Sequence, residues 1–529
     1  MSNVDPRMPY SSSRPLVFGR NVVATSQPLA AEAGLQMLRR GGNAVDAALA
    51  AAISLTVVEP TGTGIGSDLF AIVWDGAELH GLNASGRSPA ALTAARFDGL
   101  NEVPKFGWDP VTVPGAVSGW VELSRTFGKL PFAQLFEPAV KHAEEGFHVT
   151  PRAAEGWARS AELHGQREEF ARHFLPGGRA PRAGEVFRSP DQATTLQAIA
   201  TSKGEAFYRG ALATKMAAAA AKEGGLLTEE DLANHAADWV GTIGVEFGDA
   251  QLHEIPPNGQ GIAALMALGM LRSLDLASMD PDGPEAMHLQ IEAMKLAFAD
   301  TYRFVSDPEA MLVSVEDMLS ADYLAKRAKL ISFAEARDPK HGLPHERGTV
   351  YLTAADEEGR MVSLIQSNYM GFGSGVVIPG TGIAMQNRGC GFVLTPGHPN
   401  LVAGGKRPFH TIIPAFLMRG GAPWASFGVM GGDMQPQGHL QVALRLLVWG
   451  QNPQAASDAP RWQVTGGLGV SVEQGVPAAT VEALRAMGHE VSVATSSNAF
   501  GGAQLIVRLD DGGYVAGSDH RKDGQAVGY

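Results

Sequence analysis

The sequence predicts an α+β fold, and three observations carry the prediction. Helical periodicity fills most of the first two-thirds of the 529 residues. From about Gly348, short strand-like runs separated by glycine turns take over. The change falls in one polar stretch, residues 338–347. Composition agrees: 45% hydrophobic residues, 7% aromatics, 18% charged residues and 64 glycines suit tight turns and close helix packing. Disorder would require fewer hydrophobes and more charge. The length allows one large core or two or three modest domains.

After a loose N-terminal arm, residues 28–40 read as a helix stopped by Gly41-Gly42. Residues 44–57 form a second helix, alanine-rich and without a polar face, hence buried. It runs into the glycine-rich turn of residues 59–66 and then an apolar strand, 69–74. Helical patterns return over 115–169, 191–221 and 284–304. Downstream, 350–355 and 361–367 read as strands around Asp356-Glu357-Glu358-Gly359, a hairpin. Further strands are expected at 375–379, 411–418, 425–430, 503–509 and 514–517, with a helix at 437–449. There is no internal repeat and no low-complexity tail.

A net charge of −13 argues against a nucleic-acid partner, since phosphate binding wants a basic surface. The single cysteine, Cys390, rules out an intramolecular disulfide or a CxxC site, and between two glycines it reads as a small core residue rather than a nucleophile. Residues 1–13 lack the apolar core of a secretory signal, and the apolar stretch 44–58 contains Asp46 and is too short to span a bilayer. A soluble cytoplasmic protein with no membrane partner is the expectation.

Gly64-Ile65-Gly66 and residues 371–375 are glycine-rich, but neither follows the phosphate-loop or dinucleotide pattern. Tight turns are the better reading. No HExxH or His/Asp cluster marks a metal, no Gly-x-Ser-x-Gly elbow marks a serine hydrolase, and no cofactor is expected. Gly-Thr occurs four times, so the dipeptide alone says little. Gly348-Thr349 differs by position, where a polar loop enters the first strand of the strand-rich part. A cut there would place a free α-amine beside a β-hydroxyl, and such an amine can serve as base for its own hydroxyl.

Over its whole length the chain resembles γ-glutamyltransferases, which are N-terminal nucleophile hydrolases. The matching blocks run from residues 41–48 (GGNAVDAA) through Val113-Pro114-Gly115, Leu130-Pro131-Phe132, Glu145-Gly146-Phe147, Phe207-Tyr208-Arg209-Gly210, residues 228–232 and Pro256-Pro257 to Gly517-Ser518-Asp519 and Gly528-Tyr529. The resemblance implies a four-layer αββα sandwich. It implies that Thr349 attacks the carbonyl of Gly348, splitting the chain into a helix-rich 1–348 and a strand-rich 349–529 that stay associated as one intertwined unit. Ser367 would then activate the freed Thr349. The backbone N–H groups of Gly431-Gly432 would form an oxyanion hole, such donors being worth about 3–4 kcal/mol each. Arg87 would grip a substrate carboxylate, for which its planar fork is suited. Asn387, in the same register, would orient substrate or backbone.

The chain also departs from the family. Where γ-glutamyltransferases hold the glutamyl ammonium with a glutamine and an aspartate, this chain has Arg388 and Gly391. Two like charges about 4 Å apart repel by about 4 kcal/mol at an effective dielectric near 20, roughly three orders of magnitude in binding. The Ser-Ser pair of the carboxylate site is replaced by His410-Thr411, and the lid segment 392–406 is short. Arg87 and Arg388 together point to a small carboxylate-bearing amide without an α-amine, as in relatives that hydrolyse oxamate or act on glutaryl-cephalosporins. Two alternatives stand beside this reading: a genuine glutathione-cleaving γ-glutamyltransferase, and an inert relative kept for binding. A homodimer is left open.

Overall fold

Side-chain alternation along the strands decides the architecture. On the strand Val350–Ala355, Val350, Leu352 and Ala354 enter a core shared with helices, while Tyr351 and Ala355 enter a second core on the opposite face. A strand buried on both faces belongs to an inner layer. The computed structural model, which describes residues 13–339 and 349–529, has two such inner layers.

Fourteen strands build them: β1 (Val17–Gly19), β2 (Val22–Thr25), β3 (Asp68–Trp74), β4 (Leu79–Ala84), β5 (Asp238–Trp239), β6 (Ile243–Phe247), β7 (Ala250–Glu254), β8 (Val350–Ala355), β9 (Met361–Ser367), β10 (Ala415–Arg419), β11 (Ala422–Met430), β12 (Gly502–Arg508), β13 (Tyr514–Ser518) and β14 (Gln525–Gly528). One sheet runs β1-β13-β12-β11-β10-β7-β6 and the other β14-β2-β8-β9-β3-β4-β5. All neighbouring strands in both are antiparallel. Phe70, Ile72 and Ile365 from the second sheet meet Phe416, Met430 and Ile506 from the first in the core between them.

Helices close both outer faces. α1 (Pro28–Arg39), α2 (Ala44–Val58) and α3 (Ala116–Phe127) cover the second sheet; α4 (Gly261–Leu271), α5 (Pro284–Phe304) and α6 (Met434–Leu447) cover the first. This is the αββα sandwich. Every residue of α2 is buried, as its missing polar face requires. The Asn43 side chain accepts from the N–H groups of Val45 and Asp46, and Asp46 caps Asn43 in return. α1 lies close enough that a Cβ on Gly34 would sit 2.8 Å from the Ala47 carbonyl oxygen.

β8 and β9 lie between β2 and β3, so the second sheet interleaves strands from both sides of residue 349. Helices and strands are therefore less segregated along the chain than the sequence predicts, and β4, β6 and β7 arise within the stretch expected to be helix-rich. The strand expected at 375–379 does not form: only Val377 bridges, to Ala384. Left-handed Gly375, Gly380 and Gly382 leave too little extended chain between turns. The strand expected from 411 starts at Ala415, because Pro414 has no N–H and the N–H of Ile413 goes to Gln435 Oε1. Residues 392–406 form a short loop bridged at Val393 and Leu401. Gly348 and most of the polar boundary lie outside the described residues. Among the described residues, no helix is long and apolar enough to cross a membrane.

Candidate active site

The period of two along β8, β9 and β3 also places polar groups. Thr349 precedes β8 in phase with Tyr351, so it belongs to the face between the sheets. In the ladders Val350 is opposite Gln366, and Ser367 is opposite Asp68. Thr349, Ser367 and Asp68 therefore stand side by side across three strands, at the end of one sheet and facing the other. All three are buried.

Thr349 Oγ1 lies 3.3 Å from Ser367 Oγ. Ser367 Oγ accepts from the Tyr369 backbone N–H at 2.8 Å, which orients the hydroxyl. Tyr369 has φ +79, an unusual conformation for a non-glycine residue. Its ring lies under the guanidinium of Arg388, 4.0 Å from centroid to Cζ. Arg388 is fully buried and donates through Nη1 to Thr411 Oγ1 at 2.7 Å. The turn of residues 59–66 closes against the nucleophile: a Cβ on Gly62 would lie 2.7 Å from Val350 Cγ1 and 3.3 Å from the Thr349 carbonyl.

The facing sheet contributes Gly431-Gly432 directly after β11. Their φ values of +128 and +61 favour glycine at both positions, and α6 starts two residues later. Gln260 Nε2 donates to the carbonyls of Gly432 at 2.8 Å and Thr411 at 2.7 Å, tying the glycine pair to the Arg388 partner. Asn387 is spent on structure: Oδ1 accepts from the Met370 N–H and Nδ2 donates to the Lys105 carbonyl.

Arg87 is placed differently from Arg388. Its side chain is 38% exposed, and Nη1 donates to Asp307 at 3.1 Å and to the Gly405 carbonyl at 3.1 Å. Asp307 also accepts from the Arg407 N–H, so this carboxylate joins the 87 and 407 segments. Cys390 sits half-buried beside Arg388 in the 3-10 turn Arg388–Gly391 and forms no disulfide.

One participant, Asp68, escapes the sequence reading, and it is met by His410, which the sequence places at the carboxylate site. His410 Nε2 lies 3.1 Å from Asp68 Oδ2. The Ile412 N–H points at His410 Nδ1, leaving Nε2 as the protonated nitrogen that donates to Asp68. Burial, followed by the charges of Arg388 and Arg407, pushes His410 well below the usual imidazole range. Burial likewise pushes Asp68 up to about 7, opposed first by Arg388 and then by the N–H groups of Gly86 and Gly115. The contact is thus a hydrogen bond from a neutral ring rather than an ion pair. The signal for Asp68 was faint: one acid at the head of an apolar strand, its partner 342 positions away.

The family profile described as gamma-glutamyltranspeptidase matches residues 30–529. The oxamate amidohydrolase proenzyme of Klebsiella pneumoniae is 36% identical, over 95% of this chain and 97% of the relative. The glutathione hydrolase-like YwrD proenzyme of Bacillus subtilis is 32% identical, over 98% of this chain and 100% of the relative. Among solved structures, the cephalosporin acylase of Bacillus halodurans superposes with a TM-score of 0.96 at 48% identity, covering 100% of this chain and 99% of that one.

Proposed function

The chain belongs to the gamma-glutamyltranspeptidase family, nearer to its oxamate amidohydrolase and cephalosporin acylase members than to those that cleave glutathione, and we propose that it is a self-cleaving threonine amidohydrolase acting on a small carboxylate-bearing amide. The observation that carries the reading is the buried Thr349–Ser367 hydroxyl pair, 3.3 Å apart at the strand end. In the precursor Thr349 Oγ1 attacks the carbonyl carbon of Gly348. The peptide becomes an ester, water hydrolyses it, and the Thr349 α-amine is released. Residues 1–348 and 349–529 then stay together, a reading supported by the interleaving of β8 and β9 between β2 and β3.

In the mature enzyme the free amine takes the proton of Oγ1 as that oxygen attacks the substrate amide. The tetrahedral oxyanion is met by the N–H groups of Gly431 and Gly432. Collapse expels the amine leaving group with the proton, and water then hydrolyses the acyl ester. Arg388 receives the substrate carboxylate. It is buried beside Thr411, and its charge repels the α-ammonium of a γ-glutamyl substrate. Arg87, paired with Asp307 nearer the surface, supplies a second positive charge toward the approaching acid.

Turnover of oxamate, a glutaryl amide and a γ-glutamyl anilide by the processed protein tests the reading. Either carboxylate amide should exceed the anilide in kcat/KM by at least tenfold. Faster hydrolysis of the anilide replaces the reading with that of a γ-glutamyl hydrolase, and a protein that stays uncut and turns over none of the three is an inert relative.

A further inference from the structure

Gln260 occupies the capping position of α4, yet its side chain caps nothing. Gln27, in the same position of α1, accepts from the N–H groups of Leu29 and Ala30, as a capping side chain should. Gln260 instead reaches away from its own helix. Its root is fixed by backbone pairing with residue 410. The His410 N–H donates to the Asn258 carbonyl at 2.9 Å, and the Gln260 N–H donates to the His410 carbonyl at 3.0 Å. The side chain is fully buried, and Nε2 donates to the Thr411 carbonyl at 2.7 Å and to the Gly432 carbonyl at 2.8 Å. Two carbonyls as partners settle which end of the amide is the nitrogen, because the oxygen has no proton to give.

Each bond lands on a segment that the proposed chemistry uses. Thr411 carries the hydroxyl that accepts from Arg388. Gly431 and Gly432 have φ values of +128 and +61, and a glycine pair has four soft dihedrals with no side chain to restrict them. Upstream of the pair, Met430 is held in the ladder opposite Gly502. Downstream, the Gly432 carbonyl accepts from the Gln435 N–H at 3.1 Å and from Gln260. The first of these ties the turn only to its own helix, α6. The bond from Gln260 ties it to a different element.

Resting on the reading of Gly431-Gly432 as the oxyanion hole, we propose that Gln260 is the positioning residue of that hole. Its amide holds the Gly432 carbonyl, and with it the directions of the two N–H groups, in a set relation to the Thr411 side of the pocket. Oxyanion donors accelerate a reaction because they are aimed before the charge develops; donors that must reorganise lose that advantage. Gln260 itself neither touches substrate nor moves a proton. Its effect therefore belongs to the transition state, where the carbonyl oxygen becomes an oxyanion, and not to the bound ground state.

The test is Gln260→Met, which keeps the length of the side chain and removes both donors. Turnover of oxamate and the glutaryl amide is measured on processed protein, with cut chains counted by mass spectrometry. kcat and kcat/KM should fall together by about ten- to a hundredfold. Propionate carries a carboxylate but forms no oxyanion, so its inhibition constant should stay within about threefold of wild type. An unchanged kcat, or a loss confined to KM, overturns the proposal.

Hydrogen exchange across residues 431–435 can be read on cut or uncut protein, and in Gln260→Met it should speed up by about tenfold or more. Exchange no faster than in wild type likewise overturns it. Gln260→Glu, which keeps the shape and also loses the NH2 group, carries the same expectations should the methionine variant not fold. Wild-type protein that turns over neither amide sinks the amidohydrolase reading. Wild-type turnover beside an unchanged kcat in Gln260→Met sinks only the role of Gln260.

Discussion

Thr349 is asked to act twice with one hydroxyl, first on its own chain and then on substrate. Thr349→Ala should therefore leave the chain whole and inactive, seen as a single uncut band on a denaturing gel. Thr349→Ser keeps the hydroxyl and should still cut; an uncut serine variant would remove the nucleophile assignment. Ser367 acts through a hydrogen bond to that hydroxyl, 3.3 Å away, and holds its own orientation from the Tyr369 N–H. Deleting such a bond to a buried group costs about 1–3 kcal/mol. Ser367→Ala should slow both scission and kcat by about ten- to a hundredfold, and Ser367→Thr should restore them. An alanine variant with wild-type rates would show that Ser367 only fills space.

Among elements, α1 and α2 illustrate how alanine and glycine replace larger side chains as the means of packing. A Cβ at Gly34 would meet the Ala47 carbonyl oxygen at 2.8 Å and Val23 Cγ1 at 3.1 Å, both on elements that cannot easily yield. Gly34→Ala gains helix propensity but overpacks this contact, at a net cost of about 1–3 kcal/mol. A lower denaturant midpoint with unchanged scission is the expected outcome, and an unchanged midpoint would show that the helices separate without penalty. This scale was also the most legible from sequence. Pro284–Phe304 and the hairpin strands Val350–Ala355 and Met361–Ser367 match their expected limits, because proline at the helix start and a polar turn between strands mark ends locally. The expected strand at 375–379 fails because its glycines adopt left-handed turns, a choice made by tertiary contacts rather than by the local run of residues.

For the molecule as a whole, the second sheet makes the two sides of residue 349 mutually dependent. β8 and β9 have no sheet of their own; their neighbours β2 and β3 come from upstream. Processed protein should run as one species on native size exclusion and lose its structure in a single denaturant transition. Two separate transitions, or fragments parting without denaturant, would mean that the halves fold independently. The layered fold was reached in the sequence through resemblance, because the order of helices and strands does not state which sheet a strand joins. The site was legible to the same degree. Thr349 and Ser367 lie 18 positions apart on one hairpin, whereas Asp68 and His410 meet only when the two sheets stack.

The contact of Gly62 with Thr349 has a bearing on what chemistry this scaffold can be taught. A methyl group at residue 62 has no room beside Val350 and the Thr349 carbonyl, so that wall is already as thin as a polypeptide permits. On the face between the sheets, the side chains that stand beside Ser367 are the fully buried Asp68 and His410. A directed-evolution library for broader acylases is better spent at 410 and 411 than on the glycine turn.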